Sequence, residues 1–319
     1  MVFSNEELKK FYKGAYSFRE TNGWLQAFQY TEAQMEYFKK VEPYWYERSF
    51  ASTAKTIEAV TRARVLSLDY KIIWQGSFDS FELWADGKEV QVYRIEDLPA
   101  EGTLQFRLPE ADSKRRITIY LPVDATVLIR NLSSDEELIP LKARKKVLWL
   151  GDSITQGFGP LRSAYTYVSV ANRILDFDII NQGIGGYIYD KGSILPMEGY
   201  RPDEIIIALG TNQYMTKDLR PVREFYERIK EVYGSEIPIT AISPIWRGDS
   251  CDSAQREDFL SYCEGIKEII KGYPNIRLID GFDLVEHDSR YYVDDLHPNL
   301  AGAEMYGQRL AEAIVLKRN

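Results

Sequence analysis

The sequence predicts a two-part α/β fold, in which an all-β sandwich precedes a flavodoxin-like, three-layer α/β/α domain with a five-stranded parallel sheet. Two observations predict it. From about residue 52 to 132, short apolar runs with period two follow one another without a helical pattern between them, which is typical of a β-sandwich. After about residue 140, apolar strands alternate with helical patterns, which predicts a parallel sheet with helices on both faces.

The first 50 residues are dense in aromatic side chains. These rings could stack on sugars, or they could fill the core and the joint between two domains, which is the simpler interpretation. The aromatic residues include Phe11, Tyr12, Tyr16, Phe18, Trp24, Phe28, Tyr30, Tyr37, Phe38, Tyr44, Trp45, Tyr46 and Phe50.

The region that follows contains a strong hairpin signal. Asp86-Gly87 separates two alternating runs, 81–84 and 90–95, as a two-residue hairpin turn requires. A polar stretch at 131–137 marks the exit from this region. We therefore predict a jelly-roll-like β-sandwich domain at 1–140 and a second domain at 141–319. The remaining strand candidates of the sandwich are 64–73, 104–108, 116–121 and 125–132.

The second domain shows the alternation of a parallel α/β sheet. Four consecutive apolar residues at 147–150 form a strand that is covered on both faces. A capped helix start is indicated at 252–257. The other predicted strands are 179–182, 205–209, 237–242 and 276–279, and the predicted helices are 163–175, 220–232, 253–272 and 300–316.

Composition excludes several classes of function. The chain has 319 residues and a net charge of −8, so no basic excess exists to neutralise phosphates and no nucleic-acid partner is expected. No apolar run approaches the ~20 residues that span a bilayer. The N-terminus lacks the pattern of a signal peptide, so we predict a cytoplasmic protein without a membrane partner. The sequence gives no indication of oligomeric state.

Metal and cofactor motifs are lacking in the sequence. Cys251 and Cys263 do not have metal-ligand spacing, and two histidines make a zinc hydrolase improbable. The glycines at 183–186 and 157–159 do not complete a dinucleotide fingerprint, and no P-loop is present. The Gly-x-Ser-x-Gly elbow of α/β-hydrolases is also lacking. We therefore expect no cofactor and no metal.

Reactive residue types follow four of the predicted strands. Ligands bind outside the carboxyl ends of the strands in such sheets. The first strand ends in Gly151-Asp152-Ser153, and the second ends in a glycine-rich turn at 181–186. The third ends in Gly210-Thr211-Asn212, and the chain after the fifth reaches Asp294-Asp-Leu-His297. A serine, a base, an acid and possible oxyanion donors can therefore meet at one edge.

The four blocks, in this order and over residues 145–316, resemble those of the SGNH hydrolases, also called the GDSL esterase/lipase family. Gly-Asp-Ser alone is a weak signal, since Gly248-Asp249-Ser250 repeats it after a segment that is not an apolar strand. The four blocks together are specific. The resemblance implies a carboxylic ester hydrolase.

The residues of a serine triad can be assigned on this basis. Ser153 is the candidate nucleophile and needs a base. His297 is the candidate base, since His287 lies in a polar turn. The family pattern of an aspartate three residues before the histidine favours Asp294 over the adjacent Asp295. The carboxylate would hold the imidazole tautomer and stabilise the imidazolium.

The resemblance assigns the oxyanion hole to the backbone N–H groups of Ser153 and Gly186 and to the side-chain amide of Asn212. Each residue also has a structural interpretation on its own. Gly186 could permit a positive φ angle, Asn212 could cap a turn, and Ser153 could cap a helix. The joint presence of all the blocks favours the catalytic interpretation.

The substrate is less well indicated. Tyr187, Trp246 and Arg247 are candidate substrate-binding residues, although each could equally serve packing or an ion pair. The layout is similar to that of some carbohydrate esterases, so hydrolysis of short acyl esters, chiefly acetyl esters, of a carbohydrate or small metabolite is the leading hypothesis. The alternatives are a longer-chain esterase or thioesterase, an acyltransferase with the same triad, and a non-catalytic carbohydrate-binding protein.

Overall fold

The computed structural model describes residues 1–77, 79–249 and 253–316. It contains two antiparallel sheets, followed by one parallel sheet with helices on both faces, which confirms the predicted fold class. In the described residues no helix is long and apolar enough to cross a membrane.

The antiparallel part begins with elements that the sequence did not reveal. Its first 48 residues form three helices and three strands. These are α1 (Asn5–Phe11), β1 (Tyr12–Lys13), β2 (Ser17–Thr21), β3 (Trp24–Phe28), α2 (Glu32–Val41) and α3 (Pro43–Arg48). Side-chain caps from Ser4 and Thr31 begin α1 and α2.

The strands that follow agree with the period-two pattern. They are β4 (Thr56–Thr61), β5 (Val65–Gln75), β6 (Ser80–Ala85), β7 (Lys88–Arg94), β8 (Glu101–Arg107), β9 (Arg115–Tyr120), β10 (Ala125–Ser134) and β11 (Ile139–Pro140). Asp86 and Gly87 join β6 to β7 with φ angles of 46° and 77°, as a tight hairpin turn requires.

These strands form two sheets with one core between them. One sheet has the order β1-β4-β9-β6-β7, with β11 also paired to β4, and the other has the order β2-β3-β10-β5-β8. Alternate residues of facing strands, such as Leu66, Leu68, Ile117 and Ile119, are fully buried in the shared core.

The parallel part contains the predicted strands and helices with small shifts at their ends. These are β12 (Lys146–Gly151), α4 (Ser153–Gln156), α5 (Tyr167–Leu175), β13 (Asp178–Gly183), β14 (Glu204–Ala208), α6 (Arg220–Tyr233), β15 (Ile239–Ile242), α7 (Ser253–Lys271), β16 (Ile276–Ile279) and α8 (Leu300–Leu316). The N-terminal end of the predicted helix at 163–175 is instead a short 3₁₀ turn, Ser163–Tyr165.

The parallel strands have the order β13-β12-β14-β15-β16, which is flavodoxin-like. The chain order reverses at β12, so the carboxyl end of β12 lies at the switch point of the sheet. Ligands bind at this position in doubly wound folds. Ser153 follows β12 directly.

The two parts of the chain share one buried cluster. Phe38 and Trp45 from the helical segment 32–48 pack with Leu148 and Tyr187 of the parallel part. The aromatic N-terminal segment thus fills the joint between the two parts. The opposite face of the parallel sheet packs against α5 and α8, where Tyr167 and Tyr306 stack with ring centroids 3.9 Å apart.

Candidate active site

Ser153 stands at the first residue of a short helix, immediately after the central strand. Asp152 caps this helix by accepting a hydrogen bond from the Ile154 amide at 3.0 Å. A Cβ atom at position 151 would lie 2.0 Å from Oγ1 of Thr155, so only glycine fits this turn. The turn therefore presents Ser153 at the carboxyl edge of the sheet.

A hydrogen-bonded chain connects Ser153 to His297 and Asp294. Oγ of Ser153 lies 2.7 Å from Nε2 of His297. Nδ1 of the same ring lies 2.8 Å from Oδ2 of Asp294. With the proton on Nδ1, the ring donates to the carboxylate and its Nε2 is free to accept the serine proton. Such an arrangement can activate a hydroxyl group as a nucleophile.

Asp294 is bound to the imidazole and to the backbone of the same loop. Its Oδ1 accepts hydrogen bonds from the amides of His297 at 2.8 Å and Leu296 at 3.2 Å. Burial acts to raise the pKa of Asp294, but the hydrogen bonds from His297 outweigh burial and hold the pKa below its usual value. The adjacent Asp295 adopts a φ of 60°, and its carbonyl oxygen accepts from the Gly248 amide at 2.7 Å.

Among the described residues, two of the three predicted oxyanion donors have an N–H group without an acceptor, and the third is fixed by a hydrogen bond. In the part of the chain that the structure describes, the amides of Ser153 and Gly186 donate to no acceptor. Gly186 is exposed and has a φ of 71°. The side-chain Nδ2 of Asn212 donates to the carbonyl of Tyr187 at 3.0 Å, which fixes the orientation of its amide.

The loop that carries Gly186 is also held from the antiparallel part of the chain. Oε1 of Gln156 accepts from the Gly185 amide at 2.8 Å, and Nε2 of Gln156 donates to Oδ1 of Asp124 at 2.9 Å. The same Oδ1 accepts from Arg48 at 2.7 Å. Gln156 and Asp124 are both buried. This contact joins distant segments of the chain and has no local sequence signal.

The three predicted substrate-binding residues occupy structural positions. Tyr187 is only 4% exposed, its hydroxyl hydrogen bonds to Ser193, and its ring packs against Trp45 with centroids 5.1 Å apart. Its side chain therefore offers no surface to a substrate, contrary to the expectation. The reason is that its ring lies in the buried cluster that the two parts of the chain share, where it also packs against Phe38.

Trp246 and Arg247 pack and pair within the protein. The Trp246 ring stacks on His287 with centroids 5.9 Å apart and an angle of 8° between the planes. Arg247 forms a bidentate pair with Asp249, with both N–O distances 2.6 Å, and donates to the Thr211 carbonyl at 2.7 Å. This last bond steadies the strand end that carries Asn212. Trp246 thus has the packing contact, and Arg247 the ion pair, that the structural interpretation of these residues expects.

One residue beside the imidazole was missed. The Phe158 ring meets the His297 ring edge-on, with centroids 4.6 Å apart. Phe158 lies between Gly157 and Gly159, and a Cβ atom at position 159 would lie 2.2 Å from the Pro298 carbonyl oxygen. Its place between two glycines after Ser153 was the available signal. The ring limits the positions that the imidazole can take.

The other candidate residues lie apart from this site or outside the described residues. His287 is exposed, and its Nε2 lies 3.0 Å from the Phe282 carbonyl. Cys263 is buried, and burial raises its pKa to about 12. Ser250, Cys251 and the helix cap expected at Asp252 lie outside the described residues. Among the residues that are described, no cluster of three or more His, Cys, Asp or Glu side chains could hold a metal ion.

Sequence comparison finds a matching family and a curated relative. Residues 149–305 match the GDSL-like Lipase/Acylhydrolase family. A curated acetylxylan esterase of Xylanibacter ruminicola is 28% identical over 211 residues, which are 53% of this chain and 43% of that protein. The match thus spans less than half of the length of that relative.

Structural comparison finds similar folds over almost the whole chain. A protein described as a GDSL-like lipase from Bacteroides ovatus has a TM-score of 0.77 at 18% identity and covers 99% of this chain and 98% of its own. A salicylyl-acyltransferase from a tetracycline biosynthetic pathway scores 0.73 at 18% identity, over 95% and 94% of the two chains. A family two carbohydrate esterase from Clostridium thermocellum scores 0.63 at 17% identity, over 84% and 93%. These similarities show a shared two-part fold.

Proposed function

Since residues 149–305 form a domain of the GDSL-like lipase/acylhydrolase family, we propose that the chain is a serine esterase for short acyl esters, chiefly acetyl esters, of a carbohydrate or small metabolite. The family is one of carboxylic ester hydrolases, in agreement with the sequence prediction. The observation that carries the proposal is the hydrogen-bonded chain from Ser153 through His297 to Asp294, with distances of 2.7 and 2.8 Å.

The mechanism follows from these contacts. Nε2 of His297 takes the proton of Ser153 as Oγ attacks the ester carbonyl carbon. The amides of Ser153 and Gly186 and the Asn212 side chain donate to the oxyanion that forms. The imidazolium then gives its proton to the leaving alcohol oxygen, and the C–O bond breaks to leave an acyl-enzyme. Water, deprotonated by His297, releases the acid and restores Ser153.

Two comparisons support the acetyl and carbohydrate parts of the proposal. The curated relative is named an acetylxylan esterase, and one of the structures with a similar fold is a family two carbohydrate esterase. Both are analogies of sequence or fold.

A series of p-nitrophenyl esters from acetyl to decanoyl tests the proposal. We expect turnover that falls sharply beyond acetyl and that decreases by about 10⁴-fold or more in Ser153→Ala. Ser250→Ala is the matched control, because it alters the second Gly-Asp-Ser tripeptide, and it should retain activity. A flat or rising chain-length profile would exclude the acetylesterase, and turnover that does not depend on Ser153 would exclude the triad.

An acyltransferase is the second candidate. The salicylyl-acyltransferase has the same two-part fold over 95% of this chain. In that reaction an alcohol acceptor replaces water in the second step, and the same residues serve both reactions. Addition of acceptor alcohols, with chromatography of the products, distinguishes the two: transfer products in excess over free acid would favour the transferase.

A further inference from the structure

A cleft of about 590 Å³ lies between the helical segment 32–48 and the loop that follows Gly186. We call it the interdomain cleft. It is formed by both parts of the chain, because one wall comes from α2 and α3 and the other comes from the parallel part. Its walls include Tyr37, Glu42, Tyr44, Trp45, Gly186 and Asp190.

The interdomain cleft and the candidate active site share Gly186. Gly186, whose amide is a proposed oxyanion donor, lines the interdomain cleft. A Cβ atom at Gly186 would lie 4.0 Å from Nε1 of Trp45, and one at Gly185 would lie 3.0 Å from the Tyr44 hydroxyl. If the Gly186 amide binds the carbonyl oxygen of a substrate, the interdomain cleft therefore lies next to the rest of that substrate.

The lining combines an aromatic face with hydrogen-bonding groups. The Tyr44 side chain is 43% exposed, although most other aromatic residues of the N-terminal segment are buried or partly buried. Its ring also lies against the Arg48 guanidinium, 4.8 Å from the centroid, which fixes its position. Tyr37 donates to Oδ1 of Asp190 at 3.1 Å. Aromatic faces with a few polar groups are typical of sites for ligands that are partly apolar and partly polar.

The charged residues of the lining further restrict the class of ligand that the cleft can bind. Glu42 and Asp190 are carboxylates, and none of the described residues that line the interdomain cleft is cationic. An anionic ligand would meet like charge, and the nearby Arg48 is already paired with Asp124. A long acyl chain would displace water from these carboxylates and offer them no hydrogen bond in its place, which is unfavourable. A neutral ring with several hydroxyl groups can stack on the aromatic face and donate hydrogen bonds to the carboxylates.

We propose that the interdomain cleft binds the alcohol part of the ester as a neutral sugar ring stacked on Tyr44. This inference rests on the proposed function and deepens it, since it assigns a substrate-binding role to the N-terminal part of the chain. It also separates the aromatic segment into two groups. Phe38 and Trp45 fill the joint, and Tyr44 faces the ligand.

Three esters test the proposal, with release of acetate as the measurement. They are a mono-O-acetylated methyl xyloside, the corresponding methyl glucuronide, which adds a carboxylate, and ethyl acetate, whose alcohol is too small to reach Tyr44. Tyr44→Ala should lower kcat/KM for the xyloside by about three- to tenfold, mainly through KM, because an aromatic contact is lost. The decrease for ethyl acetate should be clearly smaller.

Three further variants serve as controls. Tyr44→Phe keeps the ring and should retain most of the activity on the xyloside. Tyr46→Ala removes a ring from the same helix but outside the interdomain cleft, and should not change the ratio between xyloside and ethyl acetate. Glu42→Gln should reduce the preference for the xyloside over the glucuronide, because one like charge is removed.

The outcomes distinguish this inference from the proposed function. If wild type releases no acetate from any of the three esters in a reaction that depends on Ser153, the proposed function fails. If hydrolysis is present but Tyr44→Ala lowers both esters by the same factor, or Tyr46→Ala has an equal effect on the xyloside, the sugar-binding cleft is excluded. A glucuronide hydrolysed as well as the xyloside would also contradict it.

Discussion

Nε2 of Gln156 donates to Oδ1 of Asp124 at 2.9 Å, which links the helix after Ser153 to the antiparallel part of the chain. The same glutamine accepts from the Gly185 amide at 2.8 Å. Both side chains are buried, so water does not compete for these bonds. The loop of the proposed oxyanion donor Gly186 therefore depends on a residue of the other domain.

Substitution of Gln156 by methionine tests this dependence. Gln156→Met keeps the volume of the side chain and removes both hydrogen bonds. We expect kcat to fall by roughly 10- to 100-fold with little change in KM, because a displaced N–H stabilises the transition state less well. Steady-state kinetics on p-nitrophenyl acetate measures kcat and KM separately.

A second contact between the two parts of the chain supplies the control. The Tyr16 hydroxyl donates to the Glu198 carbonyl at 2.9 Å, beside the amino end of the parallel sheet. Tyr16→Phe should leave kcat unchanged. An equal decrease in both variants would mean that any weakening of the domain contact reduces activity, and the specific role of Gln156 would be rejected.

Gly186 and Gly199 form a matched pair of glycines. Their φ angles are 71° and 74°, and a Cβ atom would have no neighbour closer than 4.0 Å at the first and none within 4 Å at the second. Alanine at either position should lower the free energy of unfolding by about 1–2 kcal/mol, because the left-handed conformation is strained for alanine. Urea denaturation measures this loss.

Activity should separate the two glycine variants. Gly186→Ala shifts a proposed oxyanion donor, so we expect kcat to fall by roughly 10-fold or more, whereas Gly199→Ala should remain active. If both folded variants retain full activity, the assignment of Gly186 to the oxyanion hole is wrong.

Asp294 and the adjacent Asp295 give a second matched pair. Asp294→Asn should lower kcat by about 10⁴-fold, because the amide no longer holds the imidazole in the tautomer that accepts the serine proton. Asp295→Asn should have little effect, since asparagine tolerates the φ of 60° at this position. The reverse result would assign the acid to Asp295. Measurement of kcat for both variants at one pH decides between them.

Lys55 should make the free energy of unfolding increase with pH above neutrality. Its side chain is 1% exposed and donates to Oε1 of Gln29 and to the Ala51 carbonyl. Burial lowers its pKa to about 7 from the usual 10.5. Between these values the unfolded chain binds more protons than the folded chain, so the contribution of Lys55 to stability rises as the pH rises from about 7 to 10.5.

Urea denaturation at pH values from 7 to 9.5 tests the effect of Lys55. The contribution reaches at most about 1.4 kcal/mol per pH unit, and Lys55→Met should remove it from the slope. Lys88→Met alters an exposed lysine and should keep the wild-type slope. Equal slopes in all three proteins would contradict the assignment.

The parallel sheet could be predicted from sequence because its strands are apolar runs and helical patterns separate most of them. The strand Ile276–Ile279 and the helix Leu300–Leu316 have the predicted ends. The hairpin at Asp86-Gly87 could be predicted because its positive φ angles require particular residues. The reactive side chains could be predicted because all of them follow strands at one edge of the sheet.

The remaining features depend on tertiary contacts. The helices α2 and α3 were not predicted, because their apolar residues serve the joint between domains as well as a helix face. Tyr187 follows the exposed Gly186 but is buried, and sequence adjacency does not give side-chain direction. The contact between Gln156 and Asp124 joins residues 32 apart in the chain and has no local signature.

Asp294 and His297 lie on one loop, two hydrogen bonds connect them, and a third joins Asp294 to the Leu296 amide between them. The candidate acid and base therefore form a preassembled module, and the contact from Nε2 of His297 joins this module to Ser153, which belongs to another segment. A displacement of the loop would separate the candidate base from its nucleophile and leave the acid–base pair intact.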